Sequence, residues 1–282
     1  MKTSFMYPVL LFCLSVLLMT NCQMNTKNGT KNDIAFDSIQ ADLSYHLLDN
    51  SENPNCNLQV HFVYPVRVAD NTHLEAIQKQ FIVSYFGENY ESMSPQEAVR
   101  KYQEDYLAMY KELEEDFEKD RKNSDNPVGA WYSYYESSTD AIVFNRMGIL
   151  SYTVRFENYT GGAHGGHSYN NYVIDLSTGK AITEEDIFIK DYQDKLAQII
   201  VNQLAKDNHV EDPKELENVG FFSVEDIFPN GNFLIHEQGI TYYFNEYEIA
   251  PYVIGLVQVD LPYSDIRHLL QPESIISPLI NS

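Results

Sequence analysis

The sequence predicts an α+β fold in which antiparallel sheets pack against helices, arranged in two subdomains. In several short segments apolar residues alternate with polar ones, the period of a half-buried strand. In others they recur every three or four residues, the period of an amphipathic helix. The helical segments come in blocks and do not alternate strictly with strands, which favours an α+β fold over a doubly wound parallel sheet.

The N-terminal sequence predicts that the protein is exported and anchored to a membrane by a lipid. Residues 1–22 are typical of a lipoprotein signal peptide, because Lys2 precedes an apolar run that is too short to span a bilayer. Cys22 stands where such signals place the cysteine that receives the lipid, so we predict lipidation there. The alternative is simple cleavage nearby and a soluble periplasmic protein. The next stretch, residues 23–36, begins with polar residues and is predicted to be a flexible tether. The predicted location is therefore the cell envelope, held by a lipid anchor.

Cysteine content and charge limit the possible functions. Of the 3 cysteines, only Cys56 follows the predicted signal peptide, so no intramolecular disulfide is expected. The 19 basic and 41 acidic side chains leave a net charge of −22, which argues against binding to nucleic acid. The same charge permits attraction to a cationic partner, or it serves only to keep the protein soluble. We predict no cofactor.

The N-terminal α+β domain is predicted to span residues 37–155. Its first clear strand is at residues 58–64, followed by a helix with apolar residues at helical spacing from Leu74 onward. A second helix is predicted from Ser94 as N-cap, with Glu97 three residues later completing a capping box.

The apolar stripe of that second helix continues to Phe117. Three strands are then predicted at residues 131–135, 141–144 and 150–156, and their aromatic residues are interpreted as core and cross-strand pairs.

The C-terminal α+β domain is predicted to span residues 156–282. A strand at residues 172–176, a helix at 191–208, a hairpin turning at 238–239 and a last strand at 255–261 follow from periodicity and turn residues.

Residues 161–167, "GGAHGGH", are the most unusual segment. His164 and His167 could begin a zinc site on a helix, but glycines disfavour a helix and the sequence offers no third ligand, so we predict no metal. We expect Gly161 and Gly162 to shape a tight loop that His164 pins; contact with a partner is the alternative. No G-x-S-x-G motif is present, whereas a pair of carboxylates acting on a glycan stays open.

The stretch "EYEIAPY" offers Tyr247 and Tyr252. These tyrosines either pack a helix–sheet junction or face a ligand. We therefore take Tyr247 and Tyr252, together with His164, His167, Gly161 and Gly162, as candidate ligand-binding residues.

Two long stretches carry a family resemblance. "YTGGAHGGHSYNNYVIDLSTGKAITEEDIF" and "GITYYFNEYEIAPYVIGLVQVDLPYSDI" resemble the C-terminal domain of the RsiV-like family of bacterial envelope proteins, catalogued as a domain of unknown function. The resemblance covers residues 150–270. The preceding half resembles the domain that often lies upstream in the same proteins.

The resemblance implies a binding role in the envelope. The family includes membrane anti-sigma factors whose extracellular part binds lysozyme, and peptidoglycan deacetylases that carry the module beside a separate catalytic domain. This sequence has no Asp-Asp motif of the deacetylase domain and no predicted spanning or sigma-binding segment. We therefore expect a non-catalytic envelope lipoprotein module that binds a cationic lysozyme-like hydrolase or peptidoglycan glycan. The alternatives are a glycan-acting hydrolase or deacetylase, and a structural component of an envelope assembly.

Overall fold

A computed structural model describes residues 30–69, 72–123 and 128–280 of the protein. The predicted signal peptide, the lipidation candidate Cys22 and the first part of the predicted tether lie outside these ranges. Within them, no helix combines the length and the apolar character that crossing a membrane requires.

The larger of two sheets has six strands in sequence order. They are β1 Ile34–His46, β2 Asn55–Val68, β3 Tyr134–Arg146, β4 Ile149–Tyr159, β5 Gly166–Asp175 and β6 Lys180–Ala181. All neighbours are antiparallel except β2 and β3, which run parallel. A parallel pair needs a long crossover connection, and three helices supply it here.

The crossover helices cover one face of this sheet. They are α1 Leu74–Phe86, α2 Pro95–Lys111 and α3 Glu114–Asn123. The capping box at the start of α2 is confirmed, because the Glu97 amide donates to the Ser94 hydroxyl while the Glu97 carboxylate accepts from the Ser94 amide. The apolar stripe continues to the buried Phe117, but the chain turns between α2 and α3, so the predicted single helix is two helices.

The smaller sheet and four more helices cover the opposite face. This sheet is antiparallel and consists of β7 Phe233–Ile235, β8 Gly239–Phe244 and β9 Val257–Pro262. The helices are α4 Glu184–Ile187, α5 Gln193–Asp207, α6 Tyr263–Ile266 and α7 Ser277–Ile280. The Ser151 hydroxyl of β4 donates to the Ile235 carbonyl of β7 at 2.8 Å, which ties the two sheets together.

The large sheet therefore separates two apolar cores. One lies toward α1 and α2, where Phe81 stacks on Tyr152 with ring centroids 4.1 Å apart. The other lies toward the small sheet and α5 and includes Ile149 and Ile235. Successive residues of β4 point into opposite cores, as the period of two along a strand requires.

The predicted α+β fold with two subdomains is confirmed, and several details differ. The strands predicted at residues 131–135 and 141–144 form one strand, β3. One strand pair is parallel, although antiparallel sheets were expected. Residues 34–36, assigned to the tether, already belong to β1, where Ile34 lies opposite Val68. The boundary predicted between residues 155 and 156 falls inside β4, so the large sheet is continuous there.

Candidate functional site

Glycines shape the loop between β4 and β5. Gly161 and Gly162 have φ values of +86° and +106°, a region that residues with a Cβ rarely adopt. A Cβ at Gly161 would lie 2.8 Å from the carbonyl oxygen of Trp131, and one at Gly165 would lie 2.6 Å from that of Asn158. The loop can approach its neighbours this closely only because it lacks these side chains.

The loop presents His164 to two tyrosines from the small-sheet side. The ring of His164 stacks on Tyr252 with centroids 3.9 Å apart and planes 23° apart. Its Nδ1 lies 2.9 Å from the Gly165 carbonyl oxygen, and its Nε2 lies 3.2 Å from the Tyr247 hydroxyl. A proton on Nδ1 satisfies both contacts, because Nδ1 then donates to the carbonyl and Nε2 accepts from the hydroxyl. Stacking and these two contacts position the imidazole on the surface.

His167 is held by a carboxylate. Its Nδ1 lies 3.1 Å from Oε1 of Glu246, and its backbone amide donates to Oε2 at 3.3 Å. The Glu246 side chain is only 14% exposed, so this pair is partly shielded from water. The ring centroid of His167 lies 6.4 Å from that of Tyr252, which places it beside the stacked pair.

Four of the predicted residues therefore converge on one surface. We call His164, His167, Tyr247 and Tyr252 the aromatic–histidine patch. Burial and the nearby Glu246 carboxylate raise the pKa of Tyr252 above its ordinary value. In the parts of the chain that the structure describes, no three His, Cys, Asp or Glu side chains are grouped so that they could hold a metal ion.

The backbone at Tyr247 is strained. Its φ of +67° is in the left-handed region, which is unusual for a large side chain and costs on the order of 1–3 kcal/mol. The Tyr247 side chain is nevertheless 56% exposed, so burial does not explain the conformation. The turn instead places the hydroxyl against His164.

More aromatic residues extend the exposed surface beside the patch. Trp131 is 68% exposed, and Tyr135 stacks on Tyr159 with centroids 6.2 Å apart. The Tyr135 hydroxyl lies 2.9 Å from where a Cβ at Gly165 would stand, so it borders the loop. The interpretation of these aromatic residues as core and cross-strand pairs is confirmed for Tyr135, which pairs with Tyr159 across β3 and β4, and is wrong for the exposed Trp131. Trp131 lies in a 3-10 turn just before β3, and Tyr135 lies at the start of that strand.

Side chains cap the outer edge of β5 and fix the patch. The amides of His167, Tyr169 and Asn171 point away from β4. They donate to side-chain oxygens of Glu246, Asn245 and Asn232 at 3.3, 2.7 and 2.8 Å, respectively. These caps satisfy an edge that would otherwise attract another strand. They also lock the loop that carries Tyr247 and Tyr252 against the strand that carries His167.

A solved structure of a DUF3298 family member from Bacteroides fragilis NCTC 9343 is 35% identical in sequence and superposes with a TM-score of 0.85. The match covers 89% of this chain and 99% of that one. This protein belongs to the DUF3298 family. The DUF3298 family model, described as a protein of unknown function, matches residues 185–264, and a second model, described as deacetylase PdaC, matches residues 50–167.

Two further comparisons are more distant. A DUF3298 family protein from Pseudomonas aeruginosa PAO1 shares the fold, with a TM-score of 0.55 at 12% identity over 86% of this chain and 96% of that one. The peptidoglycan-N-acetylmuramic acid deacetylase PdaC of Bacillus subtilis (strain 168) is 25% identical over 182 residues, which are 63% of this chain and 36% of the relative. The matched part thus spans about a third of that deacetylase.

The aromatic–histidine patch forms where the two matched regions meet. His164 and His167 lie at the end of the PdaC-like region, whereas Tyr247 and Tyr252 lie in the DUF3298 region. Neither region alone contains the whole patch.

Proposed function

We propose that this protein is a non-catalytic module of the bacterial cell envelope that binds the glycan of peptidoglycan through the aromatic–histidine patch. The observation that carries the proposal is the convergence of four polar-edged rings on an exposed surface. Pyranose rings have apolar C–H faces and hydroxyl rims. A tyrosine or histidine ring offers a matching apolar face with a hydrogen-bonding edge.

The patch is built to bind at low entropic cost. Stacking and two hydrogen bonds hold His164, and the Glu246 carboxylate holds His167 at two points. Groups that are already ordered lose little freedom when a ligand arrives, and this raises affinity without adding contacts. Trp131 and Tyr135 lengthen the surface, as an extended polymer would require.

The comparisons support a cell-wall-related role. The deacetylase relative is named for action on peptidoglycan, and its similarity to this chain favours an extracytoplasmic, envelope location. The deacetylase activity itself is not part of the proposal, because the match spans 36% of that protein. A lipid anchor at Cys22, as the sequence predicts, would hold the module close to the wall.

Co-sedimentation with purified insoluble peptidoglycan tests the proposal. We expect the protein to bind and Tyr252→Ala to bind at least tenfold more weakly, because a central aromatic contact contributes more than about 1.4 kcal/mol. Val143→Ala is the control, since this side chain is 51% exposed on β3, eight residues or about 26 Å from Tyr135. Unchanged binding by Tyr252→Ala, or no binding by the parent protein, contradicts the proposal.

A cationic, lysozyme-like hydrolase is the second candidate ligand, favoured by the net charge of −22 and by the RsiV-like resemblance. Opposite charges accelerate encounter, and salt screens them, with a Debye length of about 10 Å at 0.1 M. Binding to such a protein should fall steeply between 50 and 300 mM NaCl, whereas stacking on a neutral sugar should change little. The salt dependence of each interaction therefore separates the two ligands.

The catalytic alternatives have a direct assay. Release of acetate or of reducing sugar from peptidoglycan would indicate a deacetylase or a hydrolase. A binding module is expected to leave both at the level of a protein-free control.

A further inference from the structure

Strand β1 leaves one edge of the large sheet open. It is 13 residues long, and among the described residues it pairs with no strand other than β2. Proteins usually protect such an edge with a proline, a lysine, a bulge or a very short strand, because an open edge attracts another strand. The part of β1 from Asp37 to Tyr45 has none of these, and the shift in its pairing with β2 lies earlier, at Ala35 and Phe36.

The other edge of the same sheet is protected. It ends in the two-residue strand β6, and side chains cap the outer amides of β5. The contrast between the two edges makes the open edge of β1 a candidate interface.

The outward-facing backbone groups of β1 follow from its pairing with β2. The Leu47 amide donates to the Pro54 carbonyl at 3.0 Å, in line with the register of the two strands. Backbone groups alternate in direction along a strand, so the odd-numbered residues from 39 to 45 bond to β2 and the even-numbered ones point away from it. Four residues therefore direct an N–H and a C=O outward: Ser38, Gln40, Asp42 and Ser44.

Local side chains satisfy only two of these outward groups. The Asp42 carbonyl accepts from the Gln103 side chain at 3.2 Å, and the Ser38 amide donates to the carboxylate of Asp37 at 2.8 Å. Both partners are side chains that can turn toward water, so neither closes the edge. The other outward groups of the four residues bond to no described residue, and a further strand would supply their partners.

The sequence of β1 is complementary to itself in an antiparallel register centred on Ala41. In this register Ser38 lies opposite Ser44 of a second copy, and Gln40 lies opposite Asp42 of that copy. All four outward residues of each chain then exchange their N–H and C=O groups, which gives about eight hydrogen bonds between the chains.

The same register joins the apolar faces of the two strands. Ile39 lies opposite Leu43 of the second copy, and the two Ala41 residues face each other. These are non-hydrogen-bonded pairs, in which side chains come closest. In the single chain, Ile39, Ala41 and Leu43 are half-buried against the core that lies toward α1 and α2. A second strand would therefore extend the cover over these side chains.

Charge and the bulge favour this register over its neighbours. Centring the pair on Asp42 would place that carboxylate opposite its own copy, and like charges directly opposite each other repel. Centring it on Gln40 would place Ser44 opposite Phe36, at the irregular part of the strand. With Ala41 at the centre, Asp42 faces the neutral Gln40.

We propose that the protein forms a two-fold symmetric dimer in which the β1 strands of two copies pair and join their large sheets. Such a contact uses the same surface on both copies, so it closes at the dimer. The net charge of −22 on each chain opposes association, and salt should therefore strengthen the dimer. The inference is independent of the proposed function, because β1 contributes no residue to the aromatic–histidine patch.

Sedimentation velocity of the full-length protein in a nonionic detergent tests the dimer over a hundredfold range of protein concentration. We expect a shift from monomer to dimer as the concentration rises, and a tighter dimer at about 0.3 M than at about 0.05 M NaCl. A protein that stays monomeric throughout overturns the proposal.

Variants at Gln40 show whether β1 forms the interface. Gln40→Pro removes an outward amide that bonds nothing within one chain, and proline is tolerated at such an edge position, so the fold should survive while dimer affinity falls at least tenfold. Gln40→Thr keeps the amide and is the matched control, which should dimerise like the parent. Unchanged affinity of a folded Gln40→Pro protein refutes the β1 interface.

A charge variant provides a second test if Gln40→Pro does not fold. Gln40→Asp places a carboxylate opposite Asp42 of the second copy and should weaken the dimer at least tenfold. Asn57→Asp adds the same charge at an exposed position of β2, away from the contact, and should have a much smaller effect. Equal effects of the two substitutions would contradict the proposal.

Disulfide trapping tests the register. Ala41→Cys places two thiols opposite each other with about 4.5 Å between the Cα atoms, within the range that a disulfide spans. In Gln40→Cys and Asp42→Cys the two thiols lie on a diagonal, about 7–8 Å apart, beyond that range. We expect mild oxidation to cross-link Ala41→Cys far more than the other two variants, with the parent protein giving the background. Equal cross-linking at the three positions would refute the register.

Discussion

A buried carboxylate in β3 should make stability depend on pH. Asp140 is 6% exposed; its Oδ1 accepts from the Val63 amide at 2.7 Å, and its Oδ2 has no hydrogen-bond partner among the described residues. Burial raises the pKa of Asp140 from its ordinary 3.8 to about 7. The protonated form is therefore favoured in the folded state.

The sign and size of the effect follow from this difference in pKa. A group whose pKa is higher in the folded state contributes its full stability below the unfolded pKa, and that contribution is lost as pH rises through the folded pKa. Between pH 3.8 and about 7, Asp140 should therefore lower the free energy of unfolding by about 4 kcal/mol, and the loss should level off above pH 7.

Asp140→Asn replaces the titratable carboxyl group with an amide that does not titrate. The asparagine Oδ1 can still accept from the Val63 amide, so the variant should be more stable than the parent at pH 8 by about 4 kcal/mol, but by only about 1 kcal/mol at pH 4.5. Urea denaturation at both pH values measures the difference.

Asp42→Asn, at an exposed position of β1, controls for the loss of one negative charge and should follow the parent. Parallel pH dependence of the parent and Asp140→Asn would refute the argument, because Asp140 would then have no raised pKa in the folded protein.

Three further predictions concern stability and reactivity. Ser94→Ala removes the N-cap of α2 and should lower the free energy of unfolding by about 1 kcal/mol, measured by urea denaturation. Gly161→Ala places a Cβ against the Trp131 carbonyl at a positive φ, so it should lower the free energy of unfolding by about 1–3 kcal/mol and shift the NMR signals of the loop. Gly129→Ala is the control, because open space surrounds that position, and it should do neither. Cys56 is fully buried, and burial raises the pKa of its thiol, so a thiol reagent should modify it only after urea unfolds the protein; rapid reaction of the native protein would contradict this.

Strong local signals were sufficient to predict most elements. The capping box at Ser94 and the hairpin between β7 and β8 depend on a few neighbouring residues, and both are present. β1 was missed although polar and apolar residues alternate over residues 38–46, so the period-two signal used to predict β2 was present there as well. The parallel pairing of β2 and β3 depends on how α1 to α3 cross the sheet, which no local pattern encodes.

The contacts within the candidate site could not be predicted from local sequence patterns either. The sequence singled out His164, His167, Tyr247 and Tyr252, but nothing in it indicated that residues about 80 positions apart touch. Glu246 was missed because one acid among 41 has no distinguishing local pattern.

The capped edge of β5 has a consequence for how such proteins evolve. Strand β5 begins in the PdaC-like region and continues into the gap before the DUF3298 region, and the caps on its amides come from the latter. If recombination replaced one region with that of another gene, the capping side chains would no longer match the amides of β5. The four rings of the patch would then also come from two different parent genes. We therefore expect the PdaC-like region and the DUF3298 region to be inherited together.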